Sequence, residues 1–168
     1  MDDLIYCQRD IPREQWRYGF RTSAATGCGW IATYNALQLL GEEAEPEELI
    51  RYYEHQLPLI HGNLGTTILA PAFYFKKKGY RVDWTACNDR FDDMVRKSDV
   101  CILFYRWRKK WKLGAHFVAL QYRDGTFTGY NKDFGNDVLF LADEGFEQLS
   151  VEPVGTDPAC EYALHEED

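Results

Sequence analysis

ThrGlyCysGlyTrpIleAlaThrTyrAsnAlaLeuGlnLeuLeu (26–40) is the stretch on which the reading of this chain turns. Trp30, Tyr34 and Leu37 recur at helical spacing and Gly41 supplies a stop, so the pattern predicts a helix over 28–40. Thr26 and Gly27 are cap candidates, which puts Cys28 in the first turn. Unpaired backbone N–H groups and the macrodipole favour an anion there, and a thiolate is one. A helix start and a nearby imidazolium both lower a thiol pKa, while Gly27 and Gly29 leave room for a substrate carbonyl. Cys28 is therefore the candidate nucleophile. The competing reading is a small buried hydrophobe, the commonest fate of a free cysteine.

Outward from this helix, Pro46, Glu47 and Glu48 open a second one, with Leu49, Ile50, Tyr53 and Leu57 inward and a stop before Pro58. A third is expected over 67–78, closed by three lysines and Gly79, followed by a strand over 80–84. After a short helix over 90–97, ValCysIleLeuPheTyr (100–105) is a continuous apolar run that suits a central strand covered on both faces. Segments 116–122, 126–131 and 137–141 form a meander, with Asp124-Gly125 as its hairpin turn. Helices first and strands later indicate an α+β domain. Residues 152–168, with Pro153, Pro158 and an acidic end, are expected to be a loosely held tail outside the sheet.

The chain has 168 residues, 45% hydrophobic and 15% aromatic, enough for one domain over 1–168 with its core in about 6–150. Its net charge of −8 disfavours nucleic acid as a partner, because phosphate affinity comes from Lys and Arg. No apolar leader core and no run of about 20 apolar residues occurs, so no membrane segment and a cytoplasmic location are expected. The five cysteines, at 7, 28, 87, 101 and 160, include no CxxC pair and read as free thiols. No ligand pair has zinc-type spacing, and neither a metal nor another cofactor is expected.

Cysteine catalysis also needs a base, a group that orients it, and donors for the developing oxyanion. His116 opens a strand at the rim of the predicted sheet, whereas His55, His61 and His165 lie on a polar helix face, in a loop and in the tail. Asn131 ends the paired strand, where its amide would sit beside the imidazole. Cys101 reads as inert core. Between the central strand and His116, ArgTrpArgLysLysTrpLysLeu (106–113) carries five positive charges with Trp107 and Trp111. It is expected to be a hairpin tip, either a substrate-guiding wall or a solvated surface.

GlnArgAsp (8–10), ThrGlyCysGlyTrpIleAla (26–32), GlyAlaHisPheValAlaLeu (114–120) and TyrAsnLysAsp (130–133) follow one another in an order that resembles the papain-like C39-like cysteine peptidases. The resemblance covers roughly residues 6–135. It implies a papain-like fold, with N-terminal helices packed on a C-terminal antiparallel sheet. It further implies Cys28 as nucleophile, His116 as general base and acid, Asn131 as the orienting residue, and Gln8 as an oxyanion donor beside the Cys28 backbone N–H. The substrate would be a peptide or protein, with transpeptidation or deamidation as variants of the same acyl chemistry. Trp30 stands where the family usually has proline, and Asn131 where many relatives have Asp, with Asp133 a competing orienting residue. Gly27, Gly29, Trp30, Trp107 and Trp111 are the expected substrate contacts. The rival is a catalytically silent papain-like module that binds a peptide or protein partner, with Trp30 crowding the cleft. These motifs leave the oligomeric state open.

Overall fold

The computed structural model describes residues 4–56, 67–85, 88–109, 112–131, 139–141 and 160–165. Its first elements are short: a 3-10 turn at Gln8–Asp10, the strands β1 (Arg17–Tyr18) and β2 (Arg21–Thr22) joined through Gly19 at φ 60, and the one-turn helix α1 (Ser23–Thr26). Gly27 alone separates α1 from α2 (Cys28–Leu39). Every residue of α2 from Gly29 to Leu37 is buried, so this helix runs through the core and does not present one stripe to it. Gly41 at φ 79 turns the chain out, and the Glu42 N–H reaches back to the Leu37 carbonyl.

α3 (Pro46–His55) starts on its proline, carries Glu47 and Glu48 in its first turn, and buries Leu49, Ile50 and Tyr53. α4 (Ala70–Lys78) begins three residues later than the threonines suggest and ends on Gly79 at φ 98. β3 (Arg81–Thr85) and α5 (Asn88–Lys97) follow, the latter with Asp92–Arg96 and Asp93–Lys97 ion pairs one turn apart. Then come β4 (Val100–Lys109), β5 (Lys112–Arg123), β6 (Thr126–Tyr130), β7 (Leu139–Leu141) and β8 (Cys160–His165).

One six-stranded antiparallel sheet results, in the order β3-β8-β4-β5-β6-β7. On one side of it Val82, Val100, Ile102, Phe104, Phe117 and Ala119 join the core built by α2, α3 and α4. On the other, Cys101, Leu103, Val118, Leu120 and Phe127 close over Phe91 and Val95 of α5. β4 is thus covered on both faces, as its unbroken apolar run requires, and Cys101 is core. Among the described residues no helix is long and apolar enough to cross a membrane.

One expectation is corrected. The supposed tail supplies a strand inside the sheet: β8 pairs with β3 from Arg81↔His165 to Thr85↔Glu161, and with β4 from Val100↔Leu164 to Phe104↔Cys160. CysGluTyrAlaLeuHis (160–165) alternates with period two, and that pattern outweighs the prolines ahead of it. The basic segment forms the end of the β4–β5 hairpin, as expected, with the ladder continuing to Lys109↔Lys112. Trp111 and the side chain of Trp107 lie outside the described residues, as do His61, Cys87 and Asp133.

Candidate active site

Cys28 is the first residue of α2 and is half-buried. Its helix points that end at β5, where the Cys28 thiol meets the side chain of His116. Burial, the largest influence, pushes the thiol pKa up. The hydrogen bond to His116, the charge of its ring, and the backbone N–H groups of Phe117 and Gly29 together outweigh burial and hold the thiol below its ordinary value.

His116 is 3% exposed and lies within β5, whose strand starts at Lys112, four residues earlier than the sequence suggests. Its ring meets the Tyr105 ring edge-on at 5.8 Å, and these two residues are cross-strand partners. Nε2 lies 2.6 Å from the carbonyl oxygen of Asn131. A carbonyl only accepts, so Nε2 carries a proton, and Nδ1 is the nitrogen left for the thiol. The ring is thereby presented in the tautomer that a thiol base needs.

Asn131 follows β6 with φ 65, a left-handed conformation that asparagine tolerates better than most residues. The sequence expectation had its side-chain amide beside the imidazole. The structure instead gives that task to the Asn131 main-chain carbonyl and turns the side chain to Gln8. Asn131 Oδ1 accepts from the Gln8 N–H at 2.7 Å, and Nδ2 donates to Gln8 Oε1 at 3.3 Å. Gln8 Nε2 then donates to the Ala24 carbonyl at 3.1 Å. Both ends of this chain are main-chain groups with fixed donor or acceptor character, so the orientation of each amide between them is determined. No motif could indicate Ala24 or Phe117, because both contribute only backbone atoms.

Three expected substrate contacts change character. Trp30 is 0% exposed, donates from Nε1 to Ser23 Oγ at 3.2 Å, and stacks edge-on with Trp16 at 5.5 Å. It is core and neither lines nor crowds a cleft. Gly27 is buried, and a Cβ there would stand 2.6 Å from both the Ser23 carbonyl and Trp30 Nε1. The close approach at Gly27 is internal, between α1 and α2. Gly29 is buried too, and its N–H serves the Cys28 sulfur. A cleft of about 420 Å³ opens instead along the turn that carries Gln8, lined by Arg9, Arg13, Thr22, Ala24 and Ala25. Among the described residues no three His, Cys, Asp or Glu side chains converge as metal ligands would.

No protein-family profile matches the chain, and no curated protein matches it in sequence. A solved structure does match: the peptidase domain of Streptococcus ComA, a bi-functional ABC transporter involved in a quorum sensing pathway. The TM-score is 0.51 over 83% of this chain and 91% of that one, at 13% identity. The fold is that of a papain-like C39 peptidase domain. In that fold the start of the central helix and the facing strand of the sheet are where Cys28 and His116 lie.

Proposed function

We propose that this protein is a cysteine peptidase-like hydrolase that cleaves a peptide or amide bond, with Cys28 as nucleophile and His116 as the general base and acid. The observation that carries the reading is the Cys28–His116 hydrogen bond at the start of α2, which lowers the thiol pKa against the effect of its own burial. The peptidase-like fold supports it.

The thiolate Sγ attacks the substrate carbonyl carbon, a C–S bond forms, and the carbonyl π pair moves onto oxygen. The Cys28 backbone N–H and the Nε2 proton of Gln8 not used by Ala24 are the donors for that oxyanion. Collapse breaks the C–N bond, and the amine leaves with the Nδ1 proton of His116. Water then attacks the thioester, gives a proton to Nδ1, and thiolate is released. The Asn131 carbonyl holds the Nε2 proton throughout. An amine in place of water would make the same acyl-enzyme a transferase. The burial of Trp30 removes the crowding on which a silent binding module would rest.

Iodoacetamide alkylation from pH 4 to 9, followed at each cysteine by peptide mass spectrometry, tests the reading without a substrate. Cys28 is expected to react at a pH where other cysteines do not, and His116→Ala to abolish the difference. Each unit by which the thiol pKa rises lowers the thiolate fraction about tenfold in the acid range. Uniform, ordinary reactivity at Cys28 in both proteins would refute it.

A further inference from the structure

In the usual arrangement of a thiol–imidazole site the third residue acts on the imidazole through its side chain. Here the two functions of Asn131 are divided between main chain and side chain. Resting on the reading just given, we infer that the Asn131 side chain is a positioning residue for the oxyanion donor Gln8 and contributes nothing to the thiol–imidazole pair.

The geometry argues for this division. Asn131 is 1% exposed and grips Gln8 twice, at its backbone N–H and at Oε1. With Oε1 held by a donor, the Gln8 amide cannot turn over, and Nε2 must point away from Asn131. One Nε2 proton goes to the Ala24 carbonyl, and the other has no acceptor among the described residues. Gln8 itself is 8% exposed, so a misplaced amide has little water to compensate it. The Asn131 side chain therefore selects which end of Gln8 faces a substrate: a donor stabilises an oxyanion, whereas Oε1 would repel it. What Asn131 offers the imidazole is its carbonyl, which any residue able to hold φ 65 would retain.

Asn131→Gly keeps that backbone conformation and the carbonyl while deleting the amide. Asn131→Asp, a second variant of nearly the same size, keeps one acceptor for the Gln8 N–H but sets a carboxylate oxygen against Gln8 Oε1. Two readouts separate the functions: the pH profile of Cys28 alkylation, which needs no oxyanion hole, and the Cys28-dependent hydrolysis of p-nitrophenyl acetate, taken as the difference from Cys28→Ser. Asn131→Gly is expected to leave the alkylation profile where it is in the wild type, whereas the added buried charge of Asn131→Asp is expected to move it up. Both variants are expected to lower kcat for the ester about 10- to 100-fold, approaching the roughly 100- to 1,000-fold loss expected of Gln8→Ala. The double variant Gln8→Ala/Asn131→Gly is expected to be no slower than Gln8→Ala alone, because one residue acts through the other.

An alkylation profile moved up by Asn131→Gly as far as by His116→Ala would place the side chain on the imidazole and overturn the inference. Multiplying losses in the double variant would overturn it as well. If wild-type Cys28 titrates as an ordinary thiol, insensitive to His116→Ala, the peptidase reading itself fails and the inference falls with it. That outcome is distinct from the other two, in which the thiol–imidazole pair is intact.

Discussion

Gly27→Ala probes the junction that aims Cys28. An added Cβ would lie 2.6 Å from the Ser23 carbonyl oxygen, 2.6 Å from Trp30 Nε1 and 3.0 Å from Ser23 Cα, whereas ordinary contact begins near 3.4 Å. Neither obstacle is a flexible chain end. The Ser23 carbonyl already accepts the Gly27 N–H at 2.8 Å, and the Trp30 indole is clamped between Trp16 and the Ser23 hydroxyl. Relief requires α1 and α2 to separate by about 0.8 Å, the gap between 2.6 and 3.4 Å. Overpacking of this kind costs about 1–3 kcal/mol. The hydrogen bonds of Ser23 to Gly27 and Trp30 weaken by up to about 1 kcal/mol each, while the smaller backbone entropy of the unfolded alanine chain returns about 0.4–1 kcal/mol. A net loss of about 1–3 kcal/mol corresponds to a melting point roughly 3–10 °C lower for a chain of this length. Thermal and urea denaturation followed by tryptophan fluorescence measure it, and Cys28 alkylation at pH 6 is expected to slow in parallel as Sγ moves off His116. A variant that melts within about 1 °C of the wild type, with Cys28 reactivity unchanged, would refute the close approach and return Gly27 to a substrate-facing role.

Trp30→Ala is expected to cost about 3–5 kcal/mol in urea denaturation as a buried cavity forms. Trp30→Phe loses the Ser23 hydrogen bond and one ring of the buried indole, about 1–3 kcal/mol, and leaves turnover within twofold; a large change in KM would instead place the ring in the cleft. Truncation after Ala159 removes β8 from between β3 and β4, so hydrogen exchange should lose protection over Arg81–Thr85 and size-exclusion should report aggregates from the two bared edges; full protection would make β8 dispensable. Because the Cys28 thiol is held below its ordinary value of 9.0, its contribution to stability is full above that value and is lost as pH falls through the lowered one. The stability difference between wild type and Cys28→Ser should therefore grow in favour of the wild type as pH rises, and alkylation of Cys28 should fail on the acid side of the lowered pKa. A difference that stays flat with pH would contradict the shift.

Long, strongly patterned segments were legible in the sequence: the helix opened by Cys28, the helix started by Pro46, and the doubly covered strand at Val100. Sequence periodicity reports which side chains must be buried, and those elements are defined by burial. Trp30 was misjudged because its proximity to Cys28 suggested a cleft, although a helix whose every turn is apolar belongs inside the core. β8 was missed because Pro153, Pro158 and the closing acids dominate the composition around a six-residue alternation. The α1 turn and the β1–β2 hairpin are too short for any period to register. The placement of Cys28, His116, Asn131 and Gln8 near one another was anticipated by the order of motifs. Which atom of Asn131 faces which partner was not, because a main-chain carbonyl has no signature in a sequence.

The identity of residue 131 follows from this division. Where a side chain must orient the imidazole, a carboxylate serves well, since it only has to accept a proton-bearing nitrogen. At position 131 the side chain must accept from the Gln8 N–H and donate to Gln8 Oε1 at once, and among small residues that tolerate φ 65 asparagine is the one that does both. Charge points the same way. Burial is already the largest influence opposing a thiolate at Cys28, and the lowering depends on a positive imidazole beside it. A carboxylate at 131 would add a second negative group to a pocket with little solvent to screen it, and would set it against Gln8 Oε1. The neutral amide adds no charge to compete with the thiolate for His116.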